Sequence, residues 1–188
     1  MEHLGTRRLD TPRLILRPFR PGDGEAMFRN WASDPLVTRY LTWPPHENAD
    51  VSERLCALWA QGAETPSFYQ WAIELRELGQ VIGSLSVVRI DEATESAELG
   101  YCIGRAWWGQ GLMTEAVRAV LPYLFSDCGF RRVCARHHAE NPASGRVMQK
   151  AGMVREGTLR ASGRNNRGIV DLVWYSVLQS DPESPNFP

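Results

Sequence analysis

The spacing of apolar residues divides the chain into alternating and helical stretches. "RLILRPF" (13–19) alternates as a half-buried strand does. "FYQWAIEL" (68–75) and "QVIGSLSVVRI" (80–90) are strand-like runs around a short loop containing Gly79, which predicts a hairpin. "ESAELGYCIG" (95–104) and "FRRVCARHHA" (130–139) predict two more strands. Residues 21–33 turn at "PGDG" and then take helical spacing, and residues 47–62 predict a second helix with Val51, Leu55, Leu58 and Trp59 on one face. The strongest helical signal follows residue 111. Leu112, Ala116, Val120 and Leu124 recur at every fourth position, with Met113, Val117, Leu121 and Phe125 as the adjacent row, a face wide enough to cover a sheet. Pro122 lies inside this run and predicts a bend, because it removes a backbone donor. "NPASGRVMQKAG" (141–152) is punctuated at both ends: Asn141 as N-cap, Pro142 in the first turn, Gly152 just past the end. Residues 153–179 predict a strand, a basic loop with Arg160, Arg164 and Arg167, and a long strand, "GIVDLVWYSVL". The polar, Pro-rich 181–188 predicts a frayed tail.

With no repeat and no linker, this order predicts one domain over residues 1–188, of α/β or α+β class, with its core at about 11–179. A chain of 188 residues with 43% hydrophobic content can bury a core of its own. Its 21 basic and 22 acidic residues are interspersed, so no basic field speaks for nucleic acid. No run approaches the roughly 20 apolar residues of a membrane span, and the N-terminus lacks a signal peptide's apolar stretch, so a soluble cytoplasmic protein is expected. Cys56, Cys102, Cys128 and Cys134 show neither CxxC pairing nor metal-ligand spacing and read as reduced, packed thiols.

The chemistry concentrates in "WGQGLMTEA" (108–116). A helix N-terminus presents unpaired N–H groups and about half a positive charge, and glycines before it let an anion reach the backbone. Gly109 and Gly111 could therefore hold a pyrophosphate without a lysine, or could simply make a tight turn. The GxxxxGK[ST] pattern is missing, and Thr114 fills the third glycine position of the dinucleotide fingerprint.

The succession "AELGYCIGRAWWGQGLMTEAV", a strand, and "NPASGRVMQKAGM" resembles the GNAT acetyltransferases. "TPRLILRPFRPGD", "YLTWPPHEN" and "VREGTLR…DLVWYSVL" resemble the RimJ/RimL branch, the ribosomal-protein N-terminal acetyltransferases and their relatives, and the likeness covers about residues 11–179. It implies a mostly antiparallel sheet, splayed near its middle, with helices on both faces. It implies acetyl-CoA as cosubstrate, entering between the strands at 98–103 and 130–137. The pyrophosphate would lie on the amides of Gly109, Gln110, Gly111, Leu112 and Met113, beside Trp108 and Thr114. The pantetheine would run along the backbone of Tyr101, Cys102 and Ile103, near Asn141 and Ser144. Two positions depart from the family pattern: Ala106 replaces the Gln or Arg that often opens the loop, and Met148 stands where many members carry an acidic tyrosine.

Acetyl transfer to an amine needs a base, a polarised thioester carbonyl and a proton for the departing thiolate. The resemblance implies Glu98 as base, and the residue also reads as a structural carboxylate. It implies Ser144, in "NPAS", as donor to the thiolate, and the same serine reads as a small residue that permits close packing. Trp43 and His138 are candidates for the acceptor groove. Trp43 also reads as a helix anchor, and His137 and His138 as a polar strand end, with no carboxylate or cysteine spacing that completes a metal site. RimL-like enzymes carry a further acidic residue where this chain has Gly163, which weakens a ribosomal-protein substrate. The resemblance implies a peptide N-terminus or a small amine as acceptor. Two further readings are a coenzyme A-binding sensor without catalysis and an antibiotic-modifying enzyme, for which Glu47, Asp50 and Glu74 are candidate groove acids. A homodimer is left open.

Overall fold

The computed structural model describes residues 1–181, so the expected frayed tail falls, apart from Asp181, outside the described residues. Eight strands form one sheet: β1 (Leu9–Asp10), β2 (Leu14–Pro18), β3 (Gln70–Leu75), β4 (Gln80–Asp91), β5 (Ser96–Ile103), β6 (Arg132–His138), β7 (Val154–Asn165) and β8 (Gly168–Leu178). Their order is β1-β2-β3-β4-β5-β6-β8-β7. Every neighbouring pair is antiparallel except β5 and β6. That parallel pair needs a crossover, which the helix after the glycines supplies. This is the mixed, mostly antiparallel sheet that the GNAT resemblance implies.

The parallel pairing is short. Ser96–Leu99 match Arg132–Ala135, and beyond that point the two strands part. Gly100–Ile103 keep β4 on one side, and Arg136–His138 keep β8 on the other. The sheet therefore opens into a slot at its centre.

Helix α4 (Leu112–Pro122) and helix α5 (Pro142–Lys150) cover one face. Both apolar rows of α4 and its extension are buried, against Ala97, Leu99 and Val133 among others. Each large apolar side chain so removed from water contributes about 1.5–3 kcal/mol. Pro122 is the last residue of α4, and from Tyr123 the chain continues as a π-helical turn through Asp127.

The opposite face is covered by α1 (Gly24–Met27), α2 (Pro35–Thr38) and α3 (Ala49–Gly62). The expected helix at 21–33 is thus a short α-helix followed by a π-helical turn, Phe28–Ala32, and Pro35 starts a separate helix capped by the Asp34 carboxylate. Helix α3 presents a face rotated from the expected one. Ser52 and Cys56 are fully buried, whereas Leu58 is 61% exposed. Ser52 tolerates burial because its hydroxyl meets His46 Nδ1 at 2.7 Å.

The expected basic loop at the C-terminal end is instead strand. Arg160 and Arg164 lie on β7, which runs to Asn165, and only Asn166 and Arg167 form the turn into β8. Most β7 residues are exposed, so no buried alternation marked them as strand.

Candidate active site

Gly109 and Gly111 adopt φ of +75° and +76°, a left-handed backbone that side chains resist. Gly111 is the N-cap of α4 and gives it no side-chain cap, so the first amides of the helix stay free of one. A Cβ at Gly109 would meet nothing within 4 Å, so the loop surface is open there. Arg13 braces the loop from behind. Its guanidinium donates to the Gln110 carbonyl at 3.0 Å and to Glu115 at 2.7 Å. Burial pushes the Glu115 carboxyl up, but the Thr11 hydroxyl and Arg13 outweigh it and hold the group below its usual range.

From this cradle a cavity of about 950 Å³ runs through the slot in the sheet. It brings together Tyr101, Cys102, Ile103, Trp108, Gly109, Gly111, Leu112, Met113, Thr114, Asn141 and Ser144 with Trp43, Glu98 and His138. Gln110 does not line it; its side chain donates to the Ala106 carbonyl at 2.9 Å. Trp108 is 48% exposed and donates from Nε1 to the Ile103 carbonyl at 2.9 Å, so that carbonyl of the open strand side already has a partner. Asn141 caps α5, accepting from the Ser144 amide at 3.4 Å.

Strand alternation sorts the slot residues by face. Ala97 and Leu99 are buried in the layer that α4 and α5 cover, and Tyr101 and Ile103 pack on it. Glu98, Gly100 and Cys102 point to the other face. Glu98 is 5% exposed, and Arg136 Nε of β6 lies 2.7 Å from its carboxylate. Arg136 in turn lies over the Trp174 ring, 5.2 Å from its centroid. On the helix side, Ser144 Oγ donates to Tyr101 Oη at 3.1 Å, and Tyr101 Oη donates to the Ser144 carbonyl at 3.0 Å.

A family model described as an acetyltransferase (GNAT) domain matches residues 13–154, three quarters of the chain. The chain belongs to the GNAT acetyltransferase family. It is 31% identical over 171 residues to the N-acetyltransferase YoaA of Bacillus subtilis (strain 168), covering 91% of this chain and 96% of that one. It is 28% identical over 99 residues to the ribosomal-protein-serine acetyltransferase of Escherichia coli (strain K12), covering 53% of this chain and 55% of that one, which supports the RimJ/RimL likeness. The crystal structure of a GNAT-family acetyltransferase from Bacillus anthracis superposes with a TM-score of 0.82 at 23% identity, covering 93% of this chain and all of that one.

Within this GNAT frame the cysteines are poor nucleophiles. Burial raises the thiols of Cys102 and Cys134, and that of Cys56 to about 12. His138 Nδ1 accepts from the Glu140 amide, and its ring lies 5.2 Å from that of Tyr40. His137 is buried, with Gly145 of α5 pressed against its ring, which explains a glycine in that helix. Among the described residues no group of three or more His, Cys, Asp or Glu could hold a metal ion.

The cavity wall away from the cradle carries Trp31, Tyr40, Trp43 and Trp59. Its carboxylates are Glu98 and Glu140; Glu47, Asp50 and Glu74 lie outside the lining, and Glu74 pairs with Arg17 at 2.7 Å. Arg164 lines the cavity, while Arg160 and Arg167 do not. A Cβ at Gly163 would meet the Leu172 side chain, so any larger residue there would have to displace it.

Asn166, in the β7–β8 turn, ties this wall together. It donates from Nδ2 to the carbonyls of Thr38 and Trp43, both at 2.8 Å, and from its amide to that of Leu41 at 3.0 Å. Sequence reading missed Asn166, Arg13, Arg136 and the Tyr101–Ser144 pair. It also missed Arg146 and Lys150, which line the cavity from α5; their spacing of four on one helix was the available signal.

Proposed function

We propose that this protein moves an acetyl group from acetyl-CoA to a primary amine, on a peptide N-terminus or a small molecule, by direct attack. The single observation that carries the reading is the cavity that joins an anion cradle on one face of the sheet to a buried carboxylate on the other. The residues fit coenzyme A. The Gly109–Met113 backbone suits a pyrophosphate, Arg146 and Lys150 add positive charge, and Gly100–Ile103 offer a strand side without a strand partner.

In this reading acetyl-CoA supplies the activated acyl group. Glu98 takes the proton of the acceptor's ammonium, directly or through water, and backbone N–H groups near Cys102 polarise the carbonyl. A hydroxyl at Ser144 assists the departing thiolate. With buried thiols of raised pKa, an acetyl-cysteine intermediate is disfavoured, and the amine attacks the thioester itself. The aminoglycoside alternative loses its support, since Glu47, Asp50 and Glu74 lie outside the cavity lining.

The test is a screen for thiol release from acetyl-CoA against N-terminal peptides, amino acids, polyamines and aminoglycosides. Turnover with one amine class supports the reading. Binding of acetyl-CoA without thiol release against the whole panel overturns it in favour of a sensor.

A further inference from the structure

The slot gives the reaction two sides, and the hydroxyl groups at its neck are already ordered. Odd-numbered residues of β5 face the layer of α4 and α5, where the cradle lies, and even-numbered ones face the acceptor side. A carboxylate on the acceptor side, Glu98, is thus matched on the cradle side by Tyr101. Both line the same cavity, so an amine entering from one face and a thiol leaving toward the other would pass between them.

We infer that Tyr101 is the proton donor to the leaving thiolate, and that Ser144 serves it as a relay rather than as the donor itself. This rests on the acetyltransferase reading above. Three observations carry it. Ser144 Oγ–H is committed to Tyr101 Oη at 3.1 Å, so its proton points at the phenol and not at the cavity. The phenolic O–H now donates to the Ser144 carbonyl at 3.0 Å, but it turns about its C–O bond at little cost. That carbonyl loses nothing by the turn, since a residue in the first turn of α5 also accepts the helical bond from four residues on. Finally, Met148, which stands where many family members carry a tyrosine, is 1% exposed in the core, does not line the cavity and has no proton to give.

The step balances as follows in atoms and electrons. The amine lone pair forms the C–N bond, the C–S bond breaks with its pair on sulfur, and the amine's extra proton goes to Glu98 or water. Sulfur takes the phenolic proton of Tyr101. The Ser144 proton replaces it, and water reprotonates Ser144. Burial raises the phenol pKa, with the Ser144 hydroxyl opposing and Tyr175 adding, so Tyr101 stays protonated over the working range. The polar groups facing it are Ser144 of α5 and Tyr175 of β8.

The experiment titrates free coenzyme A bound to the protein, following thiolate absorbance in the ultraviolet. It is run for the wild type, Tyr101→Phe, Ser144→Ala, the double variant and a Tyr175→Phe control. Tyr101→Phe keeps the ring, so packing survives. It is expected to raise the bound thiol's pKa by on the order of one to two units, as loss of a hydrogen bond to a charged group would. Ser144→Ala should raise it less, add nothing in the Tyr101→Phe background, and Tyr175→Phe should do nothing. With an accepted amine, kcat should fall on the order of a hundredfold in Tyr101→Phe at unchanged KM for acetyl-CoA. An unchanged thiol pKa in Tyr101→Phe, or the full effect in Ser144→Ala alone, overturns the assignment. A wild-type protein that binds no coenzyme A overturns the acetyltransferase reading instead.

Discussion

Arg136 sets its Nε 2.7 Å from the carboxylate of Glu98, and the two side chains come from the two strands that part to form the slot. The guanidinium keeps a counter-charge beside a carboxylate that is otherwise buried, and its own other edge rests on Trp174. In the proposed reaction this carboxylate takes the proton of the acceptor's ammonium. Glu98→Gln keeps the shape and removes the charge. Its kcat should fall most at low pH, where few acceptors are neutral, and recover in part as pH rises. Pure electrostatic positioning would instead give a uniform loss. General-base contributions run about 10²–10⁴-fold. The measurement is kcat and kcat/KM against pH, and wild-type activity at low pH would remove the base role.

Gly111→Val should abolish protection by acetyl-CoA. The position has φ +76°, and a Cβ there would point at Arg13, 3.7 Å from its Nη2. A β-branched residue there adds about 1–2 kcal/mol of strain and crowds Arg13, so the loop moves and its amides no longer face an anion together. Wild-type protein at a hundredfold excess over Kd should gain about 2.7 kcal/mol, read as a higher Tm. The variant should fold, by circular dichroism, with a lower Tm that acetyl-CoA does not move.

Arg13→Ala should raise KM for acetyl-CoA and leave kcat alone. The side chain touches the loop from outside the cavity lining, through the Gln110 carbonyl and Glu115. It is 48% exposed, so the loss is modest, about 1.4 kcal/mol or tenfold in KM. An unchanged KM would show that the loop holds its shape unaided.

These outcomes mark where the sequence was legible. The double row of α4 was read correctly because two four-residue repeats leave no other element that could bury both. The hairpin at Gly79 was equally plain, and the residue has φ +61°. The cradle and the slot strands followed from motif order, which is local. Leu58 was misassigned to the buried face of α3 because helical spacing shows a stripe but not its rotation; Ser52 replaces it through a partner six residues upstream. Strand β7 was hidden because an exposed strand carries no buried alternation. The hydrogen bond of Tyr101 to Ser144 and the ion pair of Arg136 with Glu98 join residues 43 and 38 apart in the chain, and no spacing rule reaches across such a gap.

Acidification below pH 6.5 should weaken the fold through its buried histidines. Burial lowers the pKa of His137 from 6.5, and His46 shifts the same way for the same reason. The folded protein then binds fewer protons than the unfolded chain just below that value. The stability they contribute is complete above pH 6.5 and is lost as pH falls through the folded-state values. Urea midpoints measured from pH 7.5 to 5 should therefore decline on the acid side, and NMR should place the His137 midpoint below 6.5. A midpoint at or above it would contradict the burial argument.

The bonds that Asn166 makes to Thr38 and Trp43 span 128 and 123 residues of chain. Loops of that length close late, after nearer contacts have gathered the chain. The glycine loop, residues 108–114, is synthesised before β7 and β8, whereas the wall of Thr38 and Trp43 waits for the β7–β8 turn. On a ribosome, the loop is therefore made before the turn that ties down this wall. In the finished protein the last bonds made are also the natural first ones to yield. Breathing at the β7–β8 turn would loosen the Thr38–Trp43 wall of the cavity while the glycine loop keeps its place.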